Sequence, residues 1–229
     1  MRLPEWSFVY CLLAVRGILW GSVVLFGAFC GFPNVDCRDD DPACGGGSTA
    51  AVLMLTSCEA VTGTLDSLAS EDGAVTDVPS ATTAGTPVLM GDIPGGTSSQ
   101  AFFHFDISSL GQARVVSANL EVFQSSLSGV PSSVGPFNVD HVDYGTLDIS
   151  DFGTSGLDSG FAQISDYTSG SYKIITVTSQ LAVDIAAGRS YSQYRIRSGN
   201  NADATADAVN YDMGDSVTNK PLLRYSICQ

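Results

Sequence analysis

The chain has 229 residues, of which 24 are acidic and 10 are basic, so its formal net charge is −14. This charge argues against a nucleic acid partner, because binding to phosphates requires a basic surface. Only 15% of the residues are charged, whereas 44% are hydrophobic. That composition argues against both a helical bundle and a disordered chain, and it favours an exported, strand-rich fold.

Residues 1–29 are predicted to be a signal peptide. Arg2 and Arg16 precede an uncharged, largely apolar run of 13 residues at 17–29. The run is shorter than the roughly 20 residues of a membrane-spanning helix, and it matches the apolar region of a secretory signal. We therefore expect export, with an uncleaved membrane anchor as the alternative.

The end of this run resembles a bacterial lipobox, in which small residues precede a cysteine that becomes acylated. Gly27 and Ala28 fit the pattern, and Cys30 follows them. The resemblance implies cleavage before Cys30 and lipid anchoring at the outer membrane or cell surface, and the alternative is a secreted protein. Residues 30–58 then read as a polar, acidic and Gly-rich tether.

From residue 59 to residue 229 the chain reads as one all-β domain, because short runs with a period of two recur between turn signals. These runs lie at 74–78, 87–92, 100–107, 114–125, 136–144, 171–179, 192–199, 207–211 and 221–227.

Three of the runs have a distinct apolar face. The faces consist of Ala101, Phe103 and Phe105; of Val116, Ala118, Leu120 and Val122; and of Leu223, Tyr225 and Ile227. One further segment, 180–188, has apolar residues at helical spacing and ends at Gly188. We predict an antiparallel two-sheet β-sandwich, a jelly roll, with one short helix near 180–187.

Several motifs occur in an order that is typical of one family. SEDGAVTDVPS precedes FFHFDISSLG and VVSANLEVF, and YKIITVTSQLAVDIAAG precedes YRIRSGNNADATADAVNY and KPLLRYSI. This order resembles the DNRLRE-type carbohydrate-binding-module-like domains of secreted bacterial proteins over about residues 70–227. The resemblance implies a jelly-roll sandwich of the kind attached to cell-surface and polysaccharide-processing proteins, some of which bind polysaccharides.

Four cysteines remain after export and acylation of Cys30, and they can pair in an oxidising compartment. We predict a Cys37–Cys44 disulfide, which closes a small loop. We also predict a Cys58–Cys228 disulfide, because the first and last strands of a jelly roll commonly lie side by side. The alternative is that these thiols stay free.

The residues indicate no catalytic centre. His104 and His141 are the only histidines, and no serine nucleophile motif accompanies them. His104 alternates with Phe103 and Phe105, which places it on the opposite face of its strand. Asp106 follows the same strand, where its carboxylate is expected to cap backbone N–H groups. The sequence therefore predicts a protein that is not an enzyme.

A candidate ligand site lies on the run at 192–199. Arg195 and Arg197 share one face of that strand and could hold a carboxylate. Tyr194 is one of the tyrosines that could stack on a sugar ring. The alternative is a solvated sheet face.

Acidic residues at the start and near the end of the domain suggest a structural calcium ion, which jelly-roll modules often carry. Glu71 and Asp72 lie at the start, and a second acidic group extends over 200–215. The alternative for the second group is a solvated hairpin loop, and the metal ligands are left unassigned.

These observations predict a non-enzymatic, exported and lipid-anchored surface protein whose jelly-roll module binds glycan or another envelope component. The alternative is a structural or adhesive lipoprotein that binds protein partners without a sugar site. In both cases the partner is a polysaccharide or an envelope protein, and the lipid anchor alone contacts the membrane.

Overall fold

The computed structural model describes residues 58–83, 85–199 and 205–228. The predicted signal peptide, the acylated Cys30, the Cys37–Cys44 disulfide and nearly all of the tether lie outside the described residues. Within the described residues no helix is both long and apolar enough to span a membrane.

Twelve strands and one α-helix form the described part of the chain. The strands are β1 (Ala60–Asp66), β2 (Gly73–Thr76), β3 (Ser80–Thr82), β4 (Val88–Ile93), β5 (Thr97–Asp106), β6 (Arg114–Ser128), β7 (Phe137–Val142), β8 (Asp158–Ile164), β9 (Ser171–Thr176), β10 (Tyr191–Arg197), β11 (Asp207–Tyr211) and β12 (Leu222–Cys228); the helix is α1 (Thr178–Ala186). Three 3-10 helices lie at Ser108–Leu110, Pro131–Val134 and Ile149–Gly153. The all-β prediction is confirmed, and β1, β3 and β8 are the strands that the sequence did not predict.

All strand pairs are antiparallel, and together they form one curled, hydrogen-bonded sheet. Its main order is β1-β12-β6-β11-β4-β5-β10-β7-β8. In addition, β9 pairs with β6, β2 pairs with β5, and β3 pairs with β2.

The 15-residue strand β6 joins two parts of this sheet. It pairs with β12 over 114–121 and with β11 over 124–128. Residues 119–121 pair with both β12 and β9, so these two strands lie on opposite edges of β6. Gln124 likewise pairs with both β11 and β9, so β12 and β11 follow one another along the same edge of β6.

A register shift in the β6–β12 pair corrects one predicted face. Ser117 pairs with Ser226 but Val115 pairs with Ile227, so Val116 is an extra residue in β6. This bulge turns Val115 towards the core, and Val116 is 48% exposed. The prediction that Val116 shares a buried face with Ala118 is therefore wrong.

The main core collects the inward faces of strands from all parts of the sheet. Phe103 packs edge-to-face on Tyr211 with ring centroids 6.3 Å apart, and Phe105 packs on Tyr194 at 6.2 Å. The predicted apolar faces of β5 and β12 are confirmed, because Ala101, Phe103, Phe105, Leu223 and Ile227 all belong to this core.

Helix α1 contacts the core through Leu181 and Ile185, as its apolar spacing predicts. It ends where the sequence indicates, at a glycine in the left-handed region. The Gly188 N–H donates to the carbonyl of Ile185 at 3.0 Å, and the Arg189 N–H donates to that of Asp184 at 3.0 Å. These bonds satisfy carbonyls that the last helical turn leaves without partners.

The first and last described residues are joined covalently. Cys58 and Cys228 form a disulfide with their Cα atoms 5.4 Å apart, across a sequence separation of 170 residues. Strand β1 pairs with β12 over its whole length, from Ala60 opposite Cys228 to Asp66 opposite Leu222. The predicted pairing of these two cysteines is confirmed, and the strand that lies beside β12 is β1, which the sequence did not predict.

Candidate functional site

The side chains of β10 alternate between the core and the outer face of the sheet, and this alternation separates the predicted ligand residues. Tyr194 points inward and is 0% exposed, and its hydroxyl accepts a hydrogen bond from Ser192 Oγ at 2.8 Å. Burial raises the pKa of the Tyr194 phenol well above its ordinary value. A fully buried ring presents no face to a sugar, so the structure does not support the predicted ligand role of Tyr194.

Arg195 and Arg197 do hold a carboxylate, but it belongs to this chain. Arg195 Nε and Arg197 Nε lie 2.9 and 2.7 Å from Asp140 Oδ2 on the neighbouring strand β7. Asp140 is 0% exposed and also accepts the Gly160 N–H at 2.7 Å. Burial alone would raise the pKa of Asp140, but the hydrogen bonds from Arg197 and Arg195 outweigh it and hold that pKa below its ordinary value.

The tyrosines are used inside the fold. The Tyr144, Tyr167 and Tyr172 hydroxyls donate to backbone carbonyls at 3.0, 2.8 and 3.2 Å. Each tyrosine among the described residues is buried or half-buried. The tyrosines of the described residues thus take part in packing or hydrogen bonds within the fold.

The outer face of β5 is covered by a small second core. Phe102 packs with Val75 of β2 and with Leu147, and the Tyr144 ring meets Phe102 edge-to-face at 5.3 Å. Next to it, His104 Nδ1 lies 2.7 Å from Gln193 Nε2, and burial lowers the pKa of His104. The predicted orientation of His104, opposite Phe103 in the main core, is confirmed.

His141 links strand β7 to helix α1. Its Nε2 lies 3.0 and 2.9 Å from the two carboxylate oxygens of Asp184, and both side chains are buried. Neither His141 nor His104 hydrogen-bonds through its ring to a serine, threonine or cysteine side chain among the described residues. The geometry of both imidazoles is that of internal bridging groups.

The acidic residues singled out in the sequence hold loops in place. Asp72 Oδ2 accepts the Gly214 N–H at 2.7 Å, and burial raises the pKa of Asp72 to about 6. Asp207 Oδ1 accepts the Val130 N–H at 2.5 Å. Asp106 Oδ1 accepts the Ser108 N–H at 2.9 Å, which confirms its predicted cap.

No metal site emerges from the acidic residues in the described ranges. No group of three or more His, Cys, Asp or Glu residues there could hold a metal ion. Residues 200–204, which belong to the second acidic group, lie outside the described residues.

A polar groove of about 420 Å³ lies on strands β1, β12 and β6. We define the polar groove by its six polar side chains, which are Thr62, Thr64, Ser117, Asn119, Arg224 and Ser226. Strand register explains the set, because Thr62, Ser226 and Ser117 form one row across the three strands. Thr64, Arg224 and Asn119 form the next row on the same face.

Two hydrogen-bonded contacts fix side chains of the polar groove. Arg224 Nε lies 2.9 Å from Glu121 Oε2, and Thr176 Oγ1 of β9 donates to Asn119 Oδ1 at 3.3 Å. The Tyr225 ring packs so closely against Gly63 that a Cβ at residue 63 would collide with it. A larger residue at position 63 would therefore displace the Tyr225 ring.

The sequence patterns do not predict the polar groove, because they do not predict β1 as a strand. A signal was present in the alternation of Thr62 and Thr64 with Val61 and Leu65, but Gly63 interrupts it. Comparison with protein-family models found no match, and comparison with curated proteins found none either. The DNRLRE-type resemblance therefore stays a prediction.

Replacing Asp140 tests whether the arginine pair is structural. Asp140→Asn leaves the buried Arg195 guanidinium without its counter-charge, and we expect the free energy of unfolding to fall by about 3 kcal/mol. The control Asp66→Asn removes a carboxylate from an exposed pair with Lys220 and should leave stability almost unchanged. Urea unfolding measures both, and equal losses would contradict a structural role for Asp140.

Asp72 makes stability depend on pH. Its folded-state pKa of about 6 exceeds its ordinary value of 3.8, so the fold favours the protonated form. The contribution of protonated Asp72 to the free energy of unfolding is fully present below pH 3.8, its ordinary pKa, and is lost as the pH rises through about 6. The total change is about 3 kcal/mol. Asp72→Asn should therefore be more stable than the wild type at pH 7.5, and the difference should shrink at pH 5.

Thermal unfolding of both proteins over this pH range measures the difference. A difference that does not change with pH would show that Asp72 is already ionised in the folded protein below pH 5.

Proposed function

We propose that this chain is a non-catalytic, exported surface protein whose β-domain binds glycan through the polar groove. The observation that carries the proposal is the convergence of hydroxyl, amide and guanidinium groups in one groove on three neighbouring strands. The volume of the groove falls within the range of small-molecule sites.

The chemistry of the groove suits a ligand that is rich in hydroxyl groups. Serine and threonine hydroxyls and the asparagine amide both donate and accept hydrogen bonds, and arginine adds further donors. Sugar hydroxyls also do both, so they can satisfy Thr62, Ser117 and Asn119 together. Contacts from Glu121 to Arg224 and from Thr176 to Asn119 hold these side chains before a ligand arrives.

The proposed glycan site is the polar groove and not the group of Tyr194, Arg195 and Arg197 that the sequence suggested. Arg195 is neutralised by Asp140, and Tyr194 is buried in the core. Binding through the polar groove would therefore rest mainly on hydrogen bonds to its polar side chains, beside Tyr225, which also lines the groove.

We also propose the finer fold and location that the sequence predicts, namely a DNRLRE-type jelly-roll sandwich anchored by lipid at Cys30. The adjacent first and last strands support the jelly roll. The division of β6 between β12 and β11 supports two sheets that share this strand. The apolar run at 17–29 and the Gly27-Ala28 pair support export and lipidation.

A second candidate function is adhesion to a protein partner. Val116 is 48% exposed and precedes Ser117 of the polar groove, Val61 is 44% exposed on the opposite face of β1, and β1 is at one end of the sheet order. Exposed edge strands can pair with a strand of another protein, and apolar neighbours strengthen such contacts.

A glycan array, probed with and without calcium, tests the first function. The wild type should bind at least one glycan, and Asn119→Ala should weaken that binding about tenfold, because it removes a donor and an acceptor from the β6 side of the groove. The control Gln163→Ala changes an exposed amide on β8, outside the groove, and should bind like the wild type.

Two results would contradict glycan binding at this site. Equal binding by Asn119→Ala and the wild type would place the site elsewhere. Absence of glycan binding, together with recovery of an envelope protein in a pull-down, would favour the adhesive function.

A further inference from the structure

Arg114, the first residue of β6, has an unusual set of partners. Every other lysine or arginine in the described residues has a carboxylate within 4.0 Å, as in the pairs of Lys173, Arg189, Arg195, Arg197, Lys220 and Arg224. Arg114 has no such neighbour within the same residues. Its Nη2 instead donates to Cys58 Sγ at 3.3 Å and to Cys228 Sγ at 3.1 Å.

Strand register brings Arg114 to the disulfide. Arg114 pairs with Cys228 across β6 and β12, and Cys228 in turn pairs with Ala60 at the start of β1. A neutral disulfide sulfur is only a weak hydrogen-bond acceptor. The guanidinium therefore gains little from the oxidised disulfide, whereas it would gain a full ionic partner if one sulfur became a thiolate.

The two sulfurs also differ in access. Cys58 is exposed to solvent, whereas Cys228 is only 7% exposed. A thiolate from solution can therefore approach Cys58 more readily than Cys228. In thiol–disulfide exchange, the accessible sulfur is attacked and the other sulfur leaves.

We propose that the Cys58–Cys228 disulfide is a thiol-exchange site for low-molecular-mass thiols, with Cys58 as the attacked sulfur and Arg114 as the group that stabilises the departing Cys228 thiolate. The incoming thiolate forms a new S–S bond to Cys58 Sγ. The Cys58–Cys228 bond breaks, and its electron pair leaves on Cys228 Sγ beside the guanidinium.

A second low-molecular-mass thiol completes the reaction. Its thiolate attacks the sulfur of the first, which releases Cys58 as a thiolate and yields the oxidised dimer of the small thiol. In total the protein disulfide gains two electrons and two small thiols lose one each. The two protons that the small thiols release balance the two cysteine thiolates, and each thiolate is protonated to the extent that its pKa exceeds the pH.

The charge of Arg114 has two separate effects on this chemistry. A neighbouring cation lowers the pKa of a cysteine thiol. A thiol of lower pKa leaves faster, and a stabilised reduced form makes the disulfide easier to reduce at equilibrium. Both effects favour exchange at this bond over a disulfide that lacks a cation.

Exchange at this site would free the start of β1, the strand that supplies Thr62 and Thr64 to the polar groove. The proposal itself does not depend on what the groove binds, and its test measures only sulfur chemistry.

The test equilibrates the oxidised full chain with mixtures of reduced and oxidised glutathione at pH 7, followed by acid quenching, alkylation and peptide mass spectrometry. The variants are Arg114→Gln, which removes the charge, Arg114→Lys, which keeps it, and the control Lys220→Gln. Lys220 precedes β12 and pairs with Asp66, away from the sulfurs. Circular dichroism of the oxidised proteins checks that each variant is folded.

In wild-type samples quenched early, before the exchange reaches equilibrium, we expect glutathione on Cys58 in at least about tenfold excess over Cys228. For Arg114→Gln, the midpoint of disulfide opening should need a ratio of squared reduced glutathione to oxidised glutathione that is about tenfold higher than for the wild type. This shift corresponds to about 30 mV for a two-electron couple. Arg114→Lys should lie between Arg114→Gln and the wild type, and Lys220→Gln should match the wild type.

Equal midpoints for Arg114→Gln and Lys220→Gln would overturn the proposal. If Arg114→Gln does not fold, the proposal is tested by the position of glutathione in the wild type. Equal amounts of glutathione on Cys58 and Cys228 would contradict the assigned roles.

Discussion

The antiparallel pairing of the first and last strands is the constraint on which the other features of this domain depend. The β1–β12 register sets Cys58 beside Cys228 and builds two of the three strands of the polar groove. Because β12 also pairs with β6, the same register brings Arg114 to the disulfide and Asn119 to the groove. A one-residue slip would turn every groove side chain of β1 to the other face.

Elsewhere on the sheet, the buried charged side chains of β7 and β10 pair within the chain. Asp140 binds two arginines, and Asp184 binds His141. Such buried pairs are costly to break and serve to fix strands β7 and β10 and helix α1 relative to one another. The outer face of β5 is covered by residues around Leu147. The groove on β1, β12 and β6 is a described surface where polar side chains gather around an open volume.

Sequence alternation predicted most of the strands because their buried faces, such as Phe103 and Phe105, are strongly apolar. It missed β1 and β8, in which small and polar side chains outnumber the large apolar ones and in which Gly63 and Gly160 interrupt the pattern. The bulge at Val116 was also beyond prediction, because only the partner strand shows that a residue is extra. The carboxylate partner of Arg195 lies 55 residues away in the sequence, on a strand that local patterns cannot assign as its neighbour.

Residue-resolved hydrogen exchange of the intact, oxidised chain tests the central register most directly. If β1 pairs with β12 as described, alternate backbone amides over residues 60–66 should exchange far more slowly than in an unstructured peptide, while the intervening amides, which face away from β12, exchange freely. Reduction of the disulfide should speed exchange in β1 before it affects β5 and β10. Peptide-like exchange throughout residues 60–66 in the oxidised protein would contradict the pairing and, with it, the polar groove.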